Sequence, residues 1–178
     1  VNIPPGDVSR YHLHEDPTLY VAANGALMRS QLSGQEWTKP NPGATRKRGE
    51  VAFRNYALDN QFHRVENMGD SSFRLIGIVH KGKGTASTLP DNNTEFENTW
   101  FRAKRYKLNR SSKTREHKHE HPVVIVQVSA GNSDTLEAGV STAEKTVLGN
   151  WSWHQAGISH SLRNVGNKNI ELVEVEIK

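Results

Sequence analysis

The 178 residues are 34% hydrophobic and 24% charged, with a formal net charge of +4 and no cysteine. That excludes disulfides, thiolate catalysis and Cys-based zinc sites, and no apolar run is long enough to cross a membrane as a helix. The Lys and Arg residues are scattered, without the interleaved aromatics of a single-strand binder; the expectation is no nucleic-acid partner, no membrane, and a mild positive field that draws small anions.

In chain order, the first feature is His12-Leu13-His14-Glu15, followed by a strand-like run from Leu19 to Ala23. Gln31 to Arg48, with Pro40, Pro42 and Gly43, reads as a long loop. His63 opens a second segment, and Phe73 to Val79 is another strand. Residues 81–97 read as a linker: the stretch from Lys81 to Asn93 holds Gly82, Gly84 and Pro90 and is poor in large apolar residues. The predicted halves are therefore 1–80 and 98–178.

The second half opens on Phe101 to Leu108, whose Arg102, Lys104, Arg105 and Lys107, with Arg110 beyond, form the looser of two basic clusters. Alternation along a strand would turn half of these inward. Val123 to Val128 is nearly continuous and expected to be buried on both faces. Trp151 and Trp153 share a face and are expected in the core, with His154 opposite them at the surface. The last run, Ile170 to Ile177, alternates Val173, Val175 and Ile177 with Glu174 and Glu176, which predicts one buried and one wet face. The chain starts at Val1 without Met and ends at Lys178 inside an apparent strand; the expectation is a soluble protein, cytoplasmic or exported after loss of a signal peptide.

An internal repeat organises these pieces. His12-x-His14-Glu15-x-Pro17 returns as His117-x-His119-Glu120-x-Pro122, and His63-x-x-x-Asn67-x-Gly69 returns as His160-x-x-x-Asn164-x-Gly166. Six of the nine histidines fill these slots, which argues for duplication rather than chance. On a strand, residues two apart project together, so each His-x-His pair offers two ligands on one face and the third histidine arrives from another strand. Neutral imidazoles ligate Fe, Zn, Ni and Cu, and three protein ligands leave positions open for a substrate. His117, His119 and His160 are the stronger candidate set; His12, His14 and His63 are the weaker. Arg115, two residues before His117, is a candidate anchor for an anion, and His121 a candidate partner beside the ligands. Tyr106 and Gln127 are candidates for the barrel lining, whereas Asn67 and Asn164 are expected to shape turns.

The second half resembles the cupin superfamily. Its first motif is matched by His117-x-His119, four residues, Val124, six residues and Gly131. Its second is matched by Gly149, five residues, Gln155-Ala156-Gly157, two residues, His160, three residues and Asn164. Val124, and Leu19 in the first half, stand where the family carries a glutamate ligand, and Gln155 stands for a proline. In this respect the chain is similar to the three-histidine cupins. The resemblance implies an all-β chain of two tandem jelly-roll barrels, and a homodimer. It implies one divalent metal per active barrel, Fe(II) preferred with Zn, Ni or Mn as alternatives, and no organic cofactor. The implied activity is a three-His dioxygenase or a metal-assisted isomerase or lyase acting on a small anionic metabolite. The alternative is a non-enzymatic bicupin that binds a sugar or other metabolite. With no carboxylate ligand in either motif, the expected site keeps the full charge of its ion.

Overall fold

The computed structural model describes residues 1–42, 45–86, 94–142 and 146–178. Gly43 and residues 87–93 of the predicted linker, Pro90 among them, lie outside them. The described chain forms two compact all-β units, Val1–Lys81 and Gly82–Lys178. Both are built from antiparallel strands in the jelly-roll manner of cupins.

The first unit contains β1 (Asn2–Ile3), β2 (His12–His14), β3 (Pro17–Asn24), β4 (Met28–Leu32), β5 (Val51–Asn55), β6 (Gln61–Asn67) and β7 (Phe73–Val79). One sheet runs β1-β7-β3-β5 and the other β2-β6-β4. The second unit contains β8 (Thr94–Glu97), β9 (Phe101–Leu108), β10 (Val123–Gln127), β11 (Ser133–Glu137), β12 (Val140–Ser141), β13 (Trp151–His154), β14 (His160–Asn164) and β15 (Ile170–Ile177). Its sheets run β13-β10-β15-β9-β8 and β12-β11-β14. β8 corrects the composition-based linker at its far end, since Thr94–Glu97 pairs along β9 as an edge strand.

Each unit has its core between its two sheets. In the first, Ile3, Tyr20, Ala22, Phe73 and Leu75 pack with Met28 and Val65 from the opposite sheet. In the second, Leu108, Ile125, Ile170 and Leu172 pack on Leu162 of β14. Burying each of these larger aliphatic side chains contributes about 1.5–3 kcal/mol. The apolar run of β10 is buried along its whole length, as its composition predicts.

β15 behaves differently from its alternation. Glu174 is 1% exposed and Glu176 5%. Their face is the interior of the barrel, shared with Ile170 and Leu172, and the Val173–Val175 face is buried too. The polar positions of this strand are therefore not a wet face. They are paired internally: Arg102 of β9 reaches Glu176 and Glu97, at 3.3 and 3.0 Å. Arg105 bonds Glu95 and Glu171 at 2.8 and 3.4 Å. The basic residues of β9 thus serve carboxylates of their own sheet.

The indole pair is also corrected. Trp151 and Trp153 are 57% and 48% exposed, whereas His154 is 3% exposed. β13 is an edge strand, and its inward phase carries Ser152 and His154 instead. His154 satisfies both ring nitrogens there, Nε2 with Ser152 Oγ at 2.6 Å and Nδ1 with Glu137 Oε1.

Two buried asparagines close the turns after the third histidines. Asn164 Nδ2 donates to the carbonyls of Leu108, Asn109 and Lys168, and its Oδ1 accepts from Gly166 N. Asn67 repeats the device with Ile3 O, Ser71 O and Gly69 N. This is why Asn recurs four residues after each histidine: a short amide ties one loop to another strand.

Candidate metal centre

Local pairing assembles the histidines. His117 and His160 lie directly opposite in an antiparallel bridge, with N–H to carbonyl bonds of 2.9 and 2.8 Å in both directions. Cross-strand partners project to one side, so their rings meet at 4.5 Å. His119, two residues on, brings its ring 5.2 Å from His117 and 5.3 Å from His160. The His-x-His segment needs only this one bridge; the named strand begins later, at Val123. In the first unit the same pairing is a true strand, with His12 opposite His63 and ring distances of 4.7 to 5.0 Å among His12, His14 and His63.

The second set has a fourth member that motif spacing does not give. Glu174 of β15 sends its carboxylate into the three rings. Its Oε2 is 3.1 Å from His117 Nε2 and 3.0 Å from His160 Nε2, and its Oε1 is 3.0 Å from His119 Nε2. The expectation of a carboxylate-free site is thus overturned in this barrel: glutamate is missing after the His-x-His but supplied from the last strand. Val124, in the usual slot, is buried on the opposite face of β10 from Ile125.

The rings are oriented from behind. His117 Nδ1 donates to the Arg115 carbonyl at 3.0 Å, which leaves Nε2 as the inward atom. His119 Nδ1 lies 3.8 Å from Glu176 Oε2. Tyr106 stacks on His117 with centroids 5.8 Å apart and donates its hydroxyl to Glu174 Oε1 at 3.2 Å. His154 lies 5.6 Å from the His160 ring. Arg115 contributes this carbonyl while its side chain is exposed. His121 is half-buried and lies near Glu176, whose pKa it helps to lower. Gln127 is fully buried and bonded to Ser133, within the barrel wall.

Electrostatics separate the two barrels. Burial opposes charge on His119, but the neighbouring carboxylates of Glu174 and Glu176 outweigh that and raise its pKa to about 9. The bond to Glu174 likewise raises His117 despite burial. Burial pushes Glu174 up, yet the three histidines pull it well below the usual carboxylate range. Among the described residues of the first barrel, no carboxylate joins His12, His14 and His63 to balance burial. Desolvation, then the neighbouring His12 and His14, lower His63 to about 4, and desolvation and His12 lower His14.

Both groups fit a metal ion: in each, one ligand atom per residue lies within 4.8 Å of every other. Two ligand atoms about 2.1 Å from one ion and at right angles stand about 3.0 Å apart, which is the spacing of Glu174 from the three Nε2 atoms. His119 Nε2 faces Glu174 at 3.0 Å but outside hydrogen-bond geometry, and it is a buried atom with no hydrogen-bond partner. A nitrogen aimed past its neighbour in this way suits a third atom between them. An open cleft of about 460 Å³ reaches His119 between Lys118, Glu120, Ala156 and Gly157, a volume in the range of small-molecule sites.

No protein-family profile matches the chain, and no curated protein matches its sequence. Solved structures match its fold. AerE from Microcystis aeruginosa aligns with a TM-score of 0.63 at 13% identity, over 99% of this chain and 85% of that one. Salicylate 1,2-dioxygenase from Pseudoaminobacter salicylatoxidans, solved as an adduct with gentisate, aligns with a TM-score of 0.62 at 11% identity, over 99% of this chain and 66% of that one. At such identities the likeness is one of fold alone, the all-β cupin jelly roll. Among the described residues no helix is long and apolar enough to cross a membrane.

Proposed function

We propose that the second barrel is the active centre of a metal-dependent dioxygenase that acts on a small anionic metabolite. The observation that carries the reading is the convergence of three histidine Nε2 atoms on one buried carboxylate, at 3.0 to 3.1 Å. His117, His119, His160 and Glu174 would hold the ion, Fe(II) by preference. When bound, such an ion supplies open positions on which an anionic substrate and dioxygen are held side by side. The chain's own part is orientation and exclusion. The Arg115 carbonyl fixes the tautomer of His117. Tyr106 holds Glu174 by its hydroxyl and covers one face of His117. Lys118, on the cleft that reaches His119, and the exposed guanidinium of Arg115 are the cations that would receive the substrate's carboxylate. The gentisate adduct of a protein with this fold supports small hydroxylated aromatic acids as the first compounds to test.

The test is oxygen uptake by the Fe(II)-loaded protein with a panel of such acids, gentisate included. Turnover abolished by His160→Ala is the expected result. Absence of uptake across the panel by protein with one bound Fe(II) per chain refutes the dioxygenase reading and leaves a metal-assisted isomerase or lyase.

One observation favours a second reading, a non-enzymatic barrel that binds a ligand without metal: His117 and His160 Nε2 lie at hydrogen-bond distance from Glu174 Oε2, 3.1 and 3.0 Å, so the imidazoles themselves can satisfy the carboxylate. Elemental analysis of the purified protein decides between them. Near-stoichiometric Fe, Mn, Ni or Zn supports the enzyme; metal-free protein whose ligand binding survives His160→Ala supports the binder.

A further inference from the structure

The first barrel keeps the three histidines but not the carboxylate, and the difference is a paired exchange. Gly77 precedes Glu174 by the same 97 positions that separate His63 from His160, and Tyr20 precedes Ile125 by the same 105 that separate His12 from His117. Strand register agrees: Tyr20 lies opposite Gly77 in β3–β7, as Ile125 lies opposite Glu174 in β10–β15. A Cβ placed on Gly77 would stand 3.2 Å from Tyr20 Cε1. A glutamate at 77 and a tyrosine at 20 therefore compete for one volume, and this barrel has taken the tyrosine.

Tyr20 uses that volume on the histidines. Its hydroxyl lies 3.4 Å from His14 Nδ1 and donates to the Tyr56 hydroxyl at 3.2 Å. Tyr56 stacks on His14 with centroids 4.6 Å apart. His12 Nδ1 donates to the Arg10 carbonyl at 2.9 Å, the counterpart of the His117–Arg115 bond. With both Nδ1 atoms engaged from behind, Nε2 of each ring is the atom left to ligate.

We propose that the first barrel is a second metal centre of a different class: three imidazoles backed by two phenols, with no carboxylate, selective for a borderline-soft ion such as Zn(II) over Mn(II). Imidazole sets suit Zn and Cu, whereas Mn depends on hard oxygen donors of the kind Glu174 supplies. The inference rests on the first barrel's own residues and not on the reaction proposed for the second.

The test uses the full chain, stripped with a chelator and dialysed against Zn(II) or Mn(II) alone, with bound metal counted by elemental analysis and folding followed by circular dichroism. Two equivalents of Zn(II) and one of Mn(II) are expected. His63→Ala removes one Zn(II) and leaves the Mn(II); His12→Gln serves the same purpose if the His63 variant does not fold. Tyr20→Ile combined with Gly77→Glu installs the second barrel's pair and raises bound Mn(II) from one equivalent to two. Two equivalents of Mn(II) in the wild type, or Zn(II) stoichiometry unchanged by loss of His63 or His12, overturns the proposal. Two Zn(II) with no Mn(II) upholds it and counts instead against the ligand set assigned to the second barrel.

Discussion

Glu174→Gln is the substitution that most directly probes the second barrel. The amide keeps the size of the carboxylate and can still accept a hydrogen bond from Tyr106, so the wall of the barrel is preserved. What it removes is one negative charge at 3.0 to 3.1 Å from three ring nitrogens, on a residue only 1% exposed. Partners that merely orient a metal ligand are worth about 10- to 100-fold in affinity. A carboxylate that faces the ion itself sets a floor near the top of that range, so a loss of at least about 100-fold, or about 2.7 kcal/mol, is expected.

The assay is competition against a chelator of known affinity, with Mn(II) as the probe because oxygen donors matter most to it. The comparison that sharpens it is His160→Ala, which removes a nitrogen ligand from the same centre and should lose at least as much. Unchanged Mn(II) affinity in a folded Glu174→Gln protein would refute the reasoning. Glu174 would then be a counter-ion for imidazolium and not a ligand.

Other consequences follow from the same geometry. In metal-free protein His119 should titrate near 9 and His63 near 4, read from their ring proton resonances; both near 6.5 would remove the electrostatic distinction between the barrels. The sign for stability differs between them. A raised His119 contributes fully below its unfolded value of about 6.5 and loses that contribution, at most about 3 kcal/mol, as pH rises through 9. A lowered His63 does the reverse, so acid between about 6.5 and 4 destabilises the first barrel, and urea midpoints of the metal-free protein at pH 5, 6.5 and 9.5 measure both trends. Asn164→Ala, which strands three carbonyls and one amide, should cost about 3 kcal/mol in urea unfolding, and a change under about 1 kcal/mol would show that water replaces the side chain. Trp151→Ser, at a mostly exposed position, should shift stability by less than about 1 kcal/mol in the same measurement.

The sequence made much of this legible. The runs at Phe73–Val79, Phe101–Leu108 and Ile170–Ile177 coincide with β7, β9 and β15, because β-branched and aromatic residues between turn signals have few other places to go. The repeated histidines were legible too, since residues two apart on a strand share a face and the repeat supplies the third in each half. Glu174 was not, and the reason is physical. Alternation of Val and Glu reports two faces, not which face is wet, and a barrel that carries a polar centre inside reverses the usual inference. The same ambiguity hid His154 and exposed Trp151 and Trp153: on an edge strand the larger ring does not automatically take the inner side. A second signal was present in the register of the repeat, where Glu174 falls opposite a glycine of the first half.

That register accounts for the two kinds of centre proposed for one scaffold. The parts that build the frame are duplicated without change: a buried Asn tying the turn after the third histidine, a backbone carbonyl two residues upstream accepting from the first, and a cross-strand bridge setting the third ring opposite the first. The pair that differs, Tyr20 with Gly77 against Ile125 with Glu174, is the pair that touches the histidines from the opposite sheet. Because its two members share one volume, neither changes alone without a clash or a void. Such coupling makes the two barrels discrete alternatives and not points on a gradient: Tyr20→Ile alone should leave a cavity beside His14, and Gly77→Glu alone should collide with the Tyr20 ring. Each single variant is therefore expected to be less stable than the double one, with an interaction energy of at least about 1 kcal/mol in a double-mutant cycle. Additivity within about 0.5 kcal/mol would show that the two positions do not compete and that the exchange between the barrels is incidental.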